Sequence, residues 1–222
     1  MRPRGIAFDA FGTVFDLNAL RDVARTVAGR RGGELFEAFS RRLVPSTWLA
    51  TAAETYRPLT EIAVLELRSA SRELGLGLDA RQADEIASGL ATLPAYDDAG
   101  PALRGLAGTP LAILSNGTGE GIESLVAGAG LTEHFEHLLV ADSVRRFKPA
   151  PEVYELAVRA FQADPGSVLL VSGNEWDVAG AQLAGLRGAF VARGRPVTAV
   201  LGVEPDLVVE QLSDLPEAIP DL

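Results

Sequence analysis

The chain has 222 residues, no cysteine, two histidines and a net charge of −10. That length can bury a core in one domain or two without staples, while the cysteine count excludes disulfides, thiolate metal sites and cysteine nucleophiles, and the histidine count excludes a three-histidine metal site. The acidic balance argues against nucleic-acid binding but leaves room for a small anionic substrate in a locally positive cleft.

No apolar run reaches the ~18 residues of a membrane span, so no membrane insertion is expected. The opening MRPRGIAFDAFG is interrupted by Asp9. It is too short and too acidic for a secretory signal, and a cytoplasmic protein is expected. A strand is predicted over residues 6–11. A block rich in Ala, Leu, Arg and Glu follows from Asn18 to Leu93, with helices predicted over 33–43, 47–56, 60–74 and 80–90. Gly75–Gly77 and Pro94 punctuate it. Short apolar runs then predict strands at 111–115, 137–140, 168–172, 189–191 and 207–209. Helical periodicity lies between the earlier ones, at 119–128, 151–161 and 178–186. Strand alternating with helix predicts an α/β fold, with a parallel sheet flanked by helices on both faces and a helical domain inserted after the first strand.

In open parallel sheets, ligands sit at the carboxyl ends of the strands, and four predicted strand ends carry polar clusters. Asp9 lies in FDAFGT with Thr13 four residues on. A carboxylate closing a buried strand is costly unless it is paired or used, although an Asp there also serves as a turn cap. Ser115, Asn116 and Gly117 close LAILSNG, and Gly119 and Gly121 follow as a helix opens. Small residues at a helix start suit an anion, and equally a plain N-cap. Lys148 lies in RFKPAPEVY with Tyr154 six residues on. The run Ser172-Gly173-Asn174-Glu175-Trp176-Asp177 ends with a carboxylate at a helix start. Together these residues place a carboxylate nucleophile, a lysine and a second carboxylate in one cleft. His134 and His137 precede and open a strand and are read as structural.

The four motifs FDAFGT, LAILSNG, FKPAPEVY and VSGNEWDVAGAQLAGL, in that order, resemble the haloacid dehalogenase superfamily over essentially the whole chain. The resemblance implies a Rossmann-like core at 1–16 and 94–222 and a helical cap domain at 17–93. Phosphatases of the superfamily carry an aspartate where Phe11 stands and a metal-binding aspartate at the position of Gly173, so phosphoryl transfer is disfavoured. The sequence is closer to the L-2-haloacid dehalogenases, which implies metal-independent chemistry with no cofactor. Asp9 is then the nucleophile, Lys148 its counter-charge, and Asp177 the base for water beside Asn174. Thr13 and Ser172 support them. Ser115 would hold the substrate carboxylate, with Tyr154 in the same shell, Asn116 facing the halide, and Phe11, Leu59 and Trp176 on the apolar side. The family places a cap arginine at the halide; here that position falls on Ser40, and Arg41 serves if the register slips by one residue. The implied reaction converts a short L-2-haloacid to a D-2-hydroxy acid plus halide. Fluoroacetate hydrolysis or ring opening in another 2-substituted acid is the alternative. Relatives are often dimers, so a homodimer is compatible with the resemblance.

Overall fold

The computed structural model describes residues 2–219. Six parallel strands form one sheet: β1 (Gly5–Phe8), β2 (Leu111–Ser115), β3 (His137–Val140), β4 (Val168–Ser172), β5 (Arg187–Val191) and β6 (Leu207–Val209), in the order β3-β2-β1-β4-β5-β6. β1, β2 and β4 are buried along their whole length. That is why they read as unbroken apolar runs rather than alternating ones. Phe8 pairs with Ile113 on one side and Val171 on the other, so Asp9 leaves the sheet at its centre. The strand order reverses between β1 and β4, and such a switch opens a crevice at the carboxyl ends.

Nine α-helices are described: α1 (Ala19–Ala28), α2 (Gly32–Ala52), α3 (Leu59–Leu74), α4 (Ala80–Ser88), α5 (Ala99–Gly105), α6 (Gly119–Gly128), α7 (Pro151–Ala160), α8 (Glu175–Leu183) and α9 (Leu215–Ala218). The first four form a helical cap inserted after β1. Among the described residues no helix is long and apolar enough to cross a membrane. The cap differs from expectation in two ways. α1 was not predicted as a separate helix, although Leu20, Val23, Ala24 and Val27 carry helical spacing. And the two helices expected around Pro45 are one, α2, which runs through it. Proline removes the hydrogen bond to the Arg41 carbonyl. The helix continues because Leu35, Phe36, Phe39, Leu43 and Thr47, on either side, are buried.

The cap rests on the core beside the loop that carries Lys148. Trp48 meets Trp176 edge to face at 5.6 Å, and Tyr56 stacks on Phe147 at 5.1 Å. The Tyr56 hydroxyl donates to Asp142 (2.6 Å), and the Phe147 amide donates to Thr51 Oγ1 (3.0 Å). These contacts fix the backbone one residue before Lys148.

Candidate active site

Asp9, Thr13, Lys148, Ser172, Asn174 and Asp177 converge at the carboxyl edge of the sheet. Lys148 Nζ lies between two carboxylates, 3.1 Å from Asp9 Oδ1 and 2.9 Å from Asp177 Oδ2. Lys148 and Asp177 are fully buried and Asp9 nearly so. A buried ionic cluster is a weak way to hold a fold together, because desolvation opposes the attraction. Its presence at a sheet switch point is better explained by chemistry.

The two oxygens of Asp9 differ. Oδ2 accepts from the Thr13 hydroxyl (2.9 Å), the Asn174 side-chain amide (3.0 Å) and, at 3.5 Å, the Ser172 hydroxyl. Oδ1 accepts from Lys148 alone among the described residues. The supports are themselves fixed: Thr13 accepts from the Gly173 amide (2.8 Å) and Ser172 from the Asn174 amide (3.1 Å). Asn174 stands at the N-cap of α8, yet its side chain makes no cap bond. It forgoes a contact worth about 1 kcal/mol of helix stability in order to hold Asp9. Gly173 packs so closely on Gly12 that a Cβ there would lie 2.4 Å from the Gly12 carbonyl oxygen. A metal-binding aspartate at that position would force the backbone apart. Among the described residues no group of three or more His, Cys, Asp or Glu side chains could hold a metal ion.

Burial pushes the Asp177 carboxyl above its ordinary 3.8; the Lys148 ammonium opposes this and the Asp9 charge adds to it. Burial alone would pull Lys148 down, but the charges of Asp177 and Asp9 outweigh it and hold the ammonium above its ordinary 10.5. Tyr154 is raised well above 10, chiefly by burial and then by Asp177. For Asp9 to attack as a carboxylate and Asp177 to take up a proton, both carboxylates must be ionised and Lys148 protonated. A raised Asp177 is neutralised at higher pH than an ordinary aspartate; a raised Lys148 keeps its proton to higher pH than an ordinary lysine. Turnover is therefore expected to decline on acidification already above pH 3.8, and to hold on the alkaline side past pH 10.5 while the fold persists. A pH–kcat profile checks this, and an alkaline limb well below 10.5 would contradict it.

Over the cluster lies a cavity of about 80 Å3 whose wall includes Asp9, Phe11, Leu59, Asn116, Asn174 and Trp176. Phe11, Leu59 and Trp176 thus stand where an apolar wall was expected. The Asn116 side-chain oxygen accepts from the Lys148 amide (2.9 Å). That bond turns the two donors of its NH2 group away from the loop. Sequence reasoning missed Leu17, Leu43, Val44, Thr47 and Leu90, which complete the wall. Leu43, Val44 and Thr47 lie on the cleft-facing side of α2, a signal visible only once the cap is docked.

Two expected residues, Arg41 and Tyr154, are placed otherwise. Arg41 is exposed and lines no cavity described here, whereas Ser40, one residue back, faces the cleft. A helix turns ~100° per residue, so Arg41 cannot share that direction. Arg42 is committed to Glu73 of α3 through its Nε at 3.1 Å. Tyr154 is fully buried behind Asp177, with its hydroxyl on Asp177 Oδ1 (2.8 Å), so it positions Asp177 and is not in the wall of the cavity over Asp9. Ser115 is likewise fully buried, its hydroxyl accepting from the Gly117 amide (3.0 Å). Beside it, the amides of Ala10, Phe11 and Asn116 have no protein acceptor among the described residues. His137, in β3, has its ring against Phe161, away from the cluster.

A parallel sheet, an inserted cap and an aspartate–lysine–aspartate cluster define a capped α/β hydrolase with a carboxylate nucleophile. Residues 3–185 match the family model for haloacid dehalogenase-like hydrolases. The chain is 35% identical over 211 residues to the (S)-2-haloacid dehalogenase of Pseudomonas sp. (strain YL), covering 94% of this chain and 91% of that protein. It is 32% identical to haloacetate dehalogenase H-2 of Moraxella sp. (strain B), covering 92% of each. The L-2-haloacid dehalogenase of Xanthobacter autotrophicus with chloropropionic acid covalently bound superposes with a TM-score of 0.89, at 30% identity and 97% coverage of both chains. The chain belongs to the L-2-haloacid dehalogenase family of the haloacid dehalogenase-like hydrolases.

Proposed function

We propose that the protein hydrolyses short L-2-haloacids to D-2-hydroxy acids and halide through an ester on Asp9. The observation that carries this reading is the asymmetric hydrogen bonding of Asp9, which lines the cavity: Oδ2 is held by up to three donors, while Oδ1 accepts from Lys148 alone among the described residues. Oδ1 is the freer nucleophile. It attacks the α-carbon from the side opposite the halogen; the C–O bond forms, the C–halogen bond breaks, and the halide departs with the bonding electrons. Configuration inverts at that carbon. Water then adds to the Asp9 carboxyl carbon and its proton passes to Asp177. The negative charge that develops on Oδ2 meets the donors of Thr13, Asn174 and Ser172, already in place. Collapse of this intermediate breaks the bond between the Asp9 carboxyl carbon and the ester oxygen, which takes the proton back from Asp177 and leaves as the hydroxy acid, and Asp9 is restored with an oxygen from water. Because water attacks the carboxyl carbon, the inverted centre is not touched again.

The substrate carboxylate is assigned to the Ser115 hydroxyl and the free backbone amides of Ala10, Phe11 and Asn116, and the departing halide to the side-chain NH2 of Asn116. The covalently bound chloropropionic acid in the Xanthobacter enzyme supports an ester route. A cytoplasmic site of action belongs to the same reading, and homodimerisation rests on the resemblance alone. The experiment is halide release from L- and D-2-chloropropanoate in EDTA. Release from the L isomer, unaffected by chelation, is the expected result; release that needs added magnesium would sink the metal-independent mechanism.

A further inference from the structure

Next to the reaction cavity lies a second one of about 620 Å3. The two share Phe11, Leu17 and Asn174 in their walls, so they are neighbouring compartments of one cleft. Their chemistry differs. The small compartment is largely apolar, whereas the large one holds three arginines, Arg21, Arg193 and Arg195, in a protein whose net charge is −10.

Two of the three are neutralised. Arg193 forks onto Asp98 at 3.0 and 3.1 Å, and Arg21 is paired with Glu37 in the same wall. Arg195 is not. Its Nε donates to the Ala192 carbonyl (3.1 Å) and its Nη2 to the carbonyls of Gly173 (2.5 Å) and Val191 (3.2 Å). Among the described residues no carboxylate oxygen lies within 4.0 Å of it. A guanidinium braced on carbonyls is held in position while keeping its whole charge, and Nη1 is left to donate. The brace is also close to the chemistry. Gly173 precedes Asn174, whose side chain touches Asp9. Across the cavity, on the cap, the Ser40 hydroxyl is shielded from solvent and has no hydrogen-bond partner. A buried hydroxyl left unpaired is costly, and a ligand oxygen would satisfy it.

Resting on the dehalogenase reading, we infer that this second compartment is an anion subsite, and that its ligand is the distal carboxylate of a 2-halodicarboxylic acid. The reacting carbon and its own carboxylate sit over Asp9 in the small compartment, which has no room for a long tail. A longer chain leaves past Phe11 and Asn174 and emerges beside Arg195. An alkyl end would desolvate that charge for nothing, whereas a carboxylate end pairs with it. The distal carboxylate takes no part in bond making; it selects the substrate. The other anion the cleft must handle is the halide product.

The test compares chain-matched acids, 2-bromosuccinate with 2-bromobutanoate and 2-bromoadipate with 2-bromohexanoate, by bromide release from the wild type, Arg195→Ala and Arg195→Lys. L-2-chloropropanoate is the reference. The wild type is expected to favour at least one diacid over its matched monoacid in kcat/KM. Arg195→Ala is expected to lower that preference about tenfold, and Arg195→Lys to restore part of it. Equal losses on diacid and monoacid, or no preference in the wild type, would overturn the inference. So would a weaker inhibition by added bromide in Arg195→Ala without any diacid preference, which would make the compartment a halide exit. If even L-2-chloropropanoate releases no halide, the dehalogenase reading itself fails. Monoacid turnover without an effect of Arg195 leaves that reading standing and removes only the subsite.

Discussion

Asp9→Asn is expected to lower halide release by roughly 10⁴-fold or more, because an amide oxygen is too weak a nucleophile to displace halide from carbon. The fold should persist. The wild-type cluster buries two carboxylates against one ammonium, and Lys148 keeps Asp177 at 2.9 Å when Asp9 loses its charge. The variant cluster is neutral, so the melting temperature is expected to hold while activity is lost. This separates the nucleophile from a structural ion pair, whose removal would cost stability and leave some chemistry. Isotope labelling tests the same step in the wild type. In a single turnover with enzyme in excess in H₂¹⁸O, the product hydroxyl should carry ¹⁶O from Asp9, and the ¹⁸O should appear in the Asp9 carboxyl. Label in the first product would mean that water attacks the α-carbon directly, and the ester mechanism would be abandoned.

Most of the sheet was legible as short apolar runs, unbroken in the central strands β2 and β4, which are buried along their whole length. Residues 111–115, 137–140, 168–172 and 207–209 are strands residue for residue as expected. The first strand was read too long. Phe8 ends it, and the chain turns at Asp9 and Ala10, where Ala10's carbonyl accepts the amides of Val14 and Phe15. That turn aims Asp9 across the edge, so the over-read residues are the functional ones. A polar residue in an apolar run marks where the strand stops. Helix α8 opens at Glu175, two residues before the helix start read at Asp177. Trp176 and Asp177 serve the site, whereas Glu175 turns outward and accepts from Thr198.

The cap was legible as helix but not as orientation. Which residue of Ser40, Arg41 and Arg42 enters the cleft depends on how α2 docks, and spacing alone leaves that open. The buried set Leu35, Phe36, Phe39 and Leu43 fixes the rotation, placing Ser40 inward and Arg41 outward. The arginine expected from this helix is therefore not supplied by it. The cations that do line the cleft come from elements no motif marked, Arg21 on α1 and Arg193 and Arg195 in the loop after β5. Their roles depend on long-range pairing with Glu37 or Asp98, or on the lack of such pairing, which a linear reading cannot weigh.

Asp177→Asn is expected to separate the two half-reactions. Attack by Asp9 needs an ionised carboxylate, and Lys148 still bridges from Asp9 Oδ1 at 3.1 Å when Asp177 becomes an amide. Ester formation should therefore proceed. Hydrolysis needs a group to take the proton of the attacking water, and an amide cannot do so. The expected result is a burst of about one halide per chain followed by steady turnover lowered by about 10²- to 10⁴-fold. The trapped ester adds the mass of the carboxyalkyl group, the substrate less hydrogen halide, to the peptide containing Asp9. Tyr154 gives an internal check. Its hydroxyl donates to Asp177 Oδ1 at 2.8 Å while Lys148 donates to Oδ2 at 2.9 Å, so an Asn there turns its one carbonyl oxygen to Lys148 and its NH2 to Tyr154, whose hydroxyl can also accept. A slow variant with no burst would move Asp177 from water activation to the support of Lys148 during the first step. In that case the base for hydrolysis would have to be sought elsewhere in the cleft, since burial raises Asp177 through the same contacts whichever step it serves.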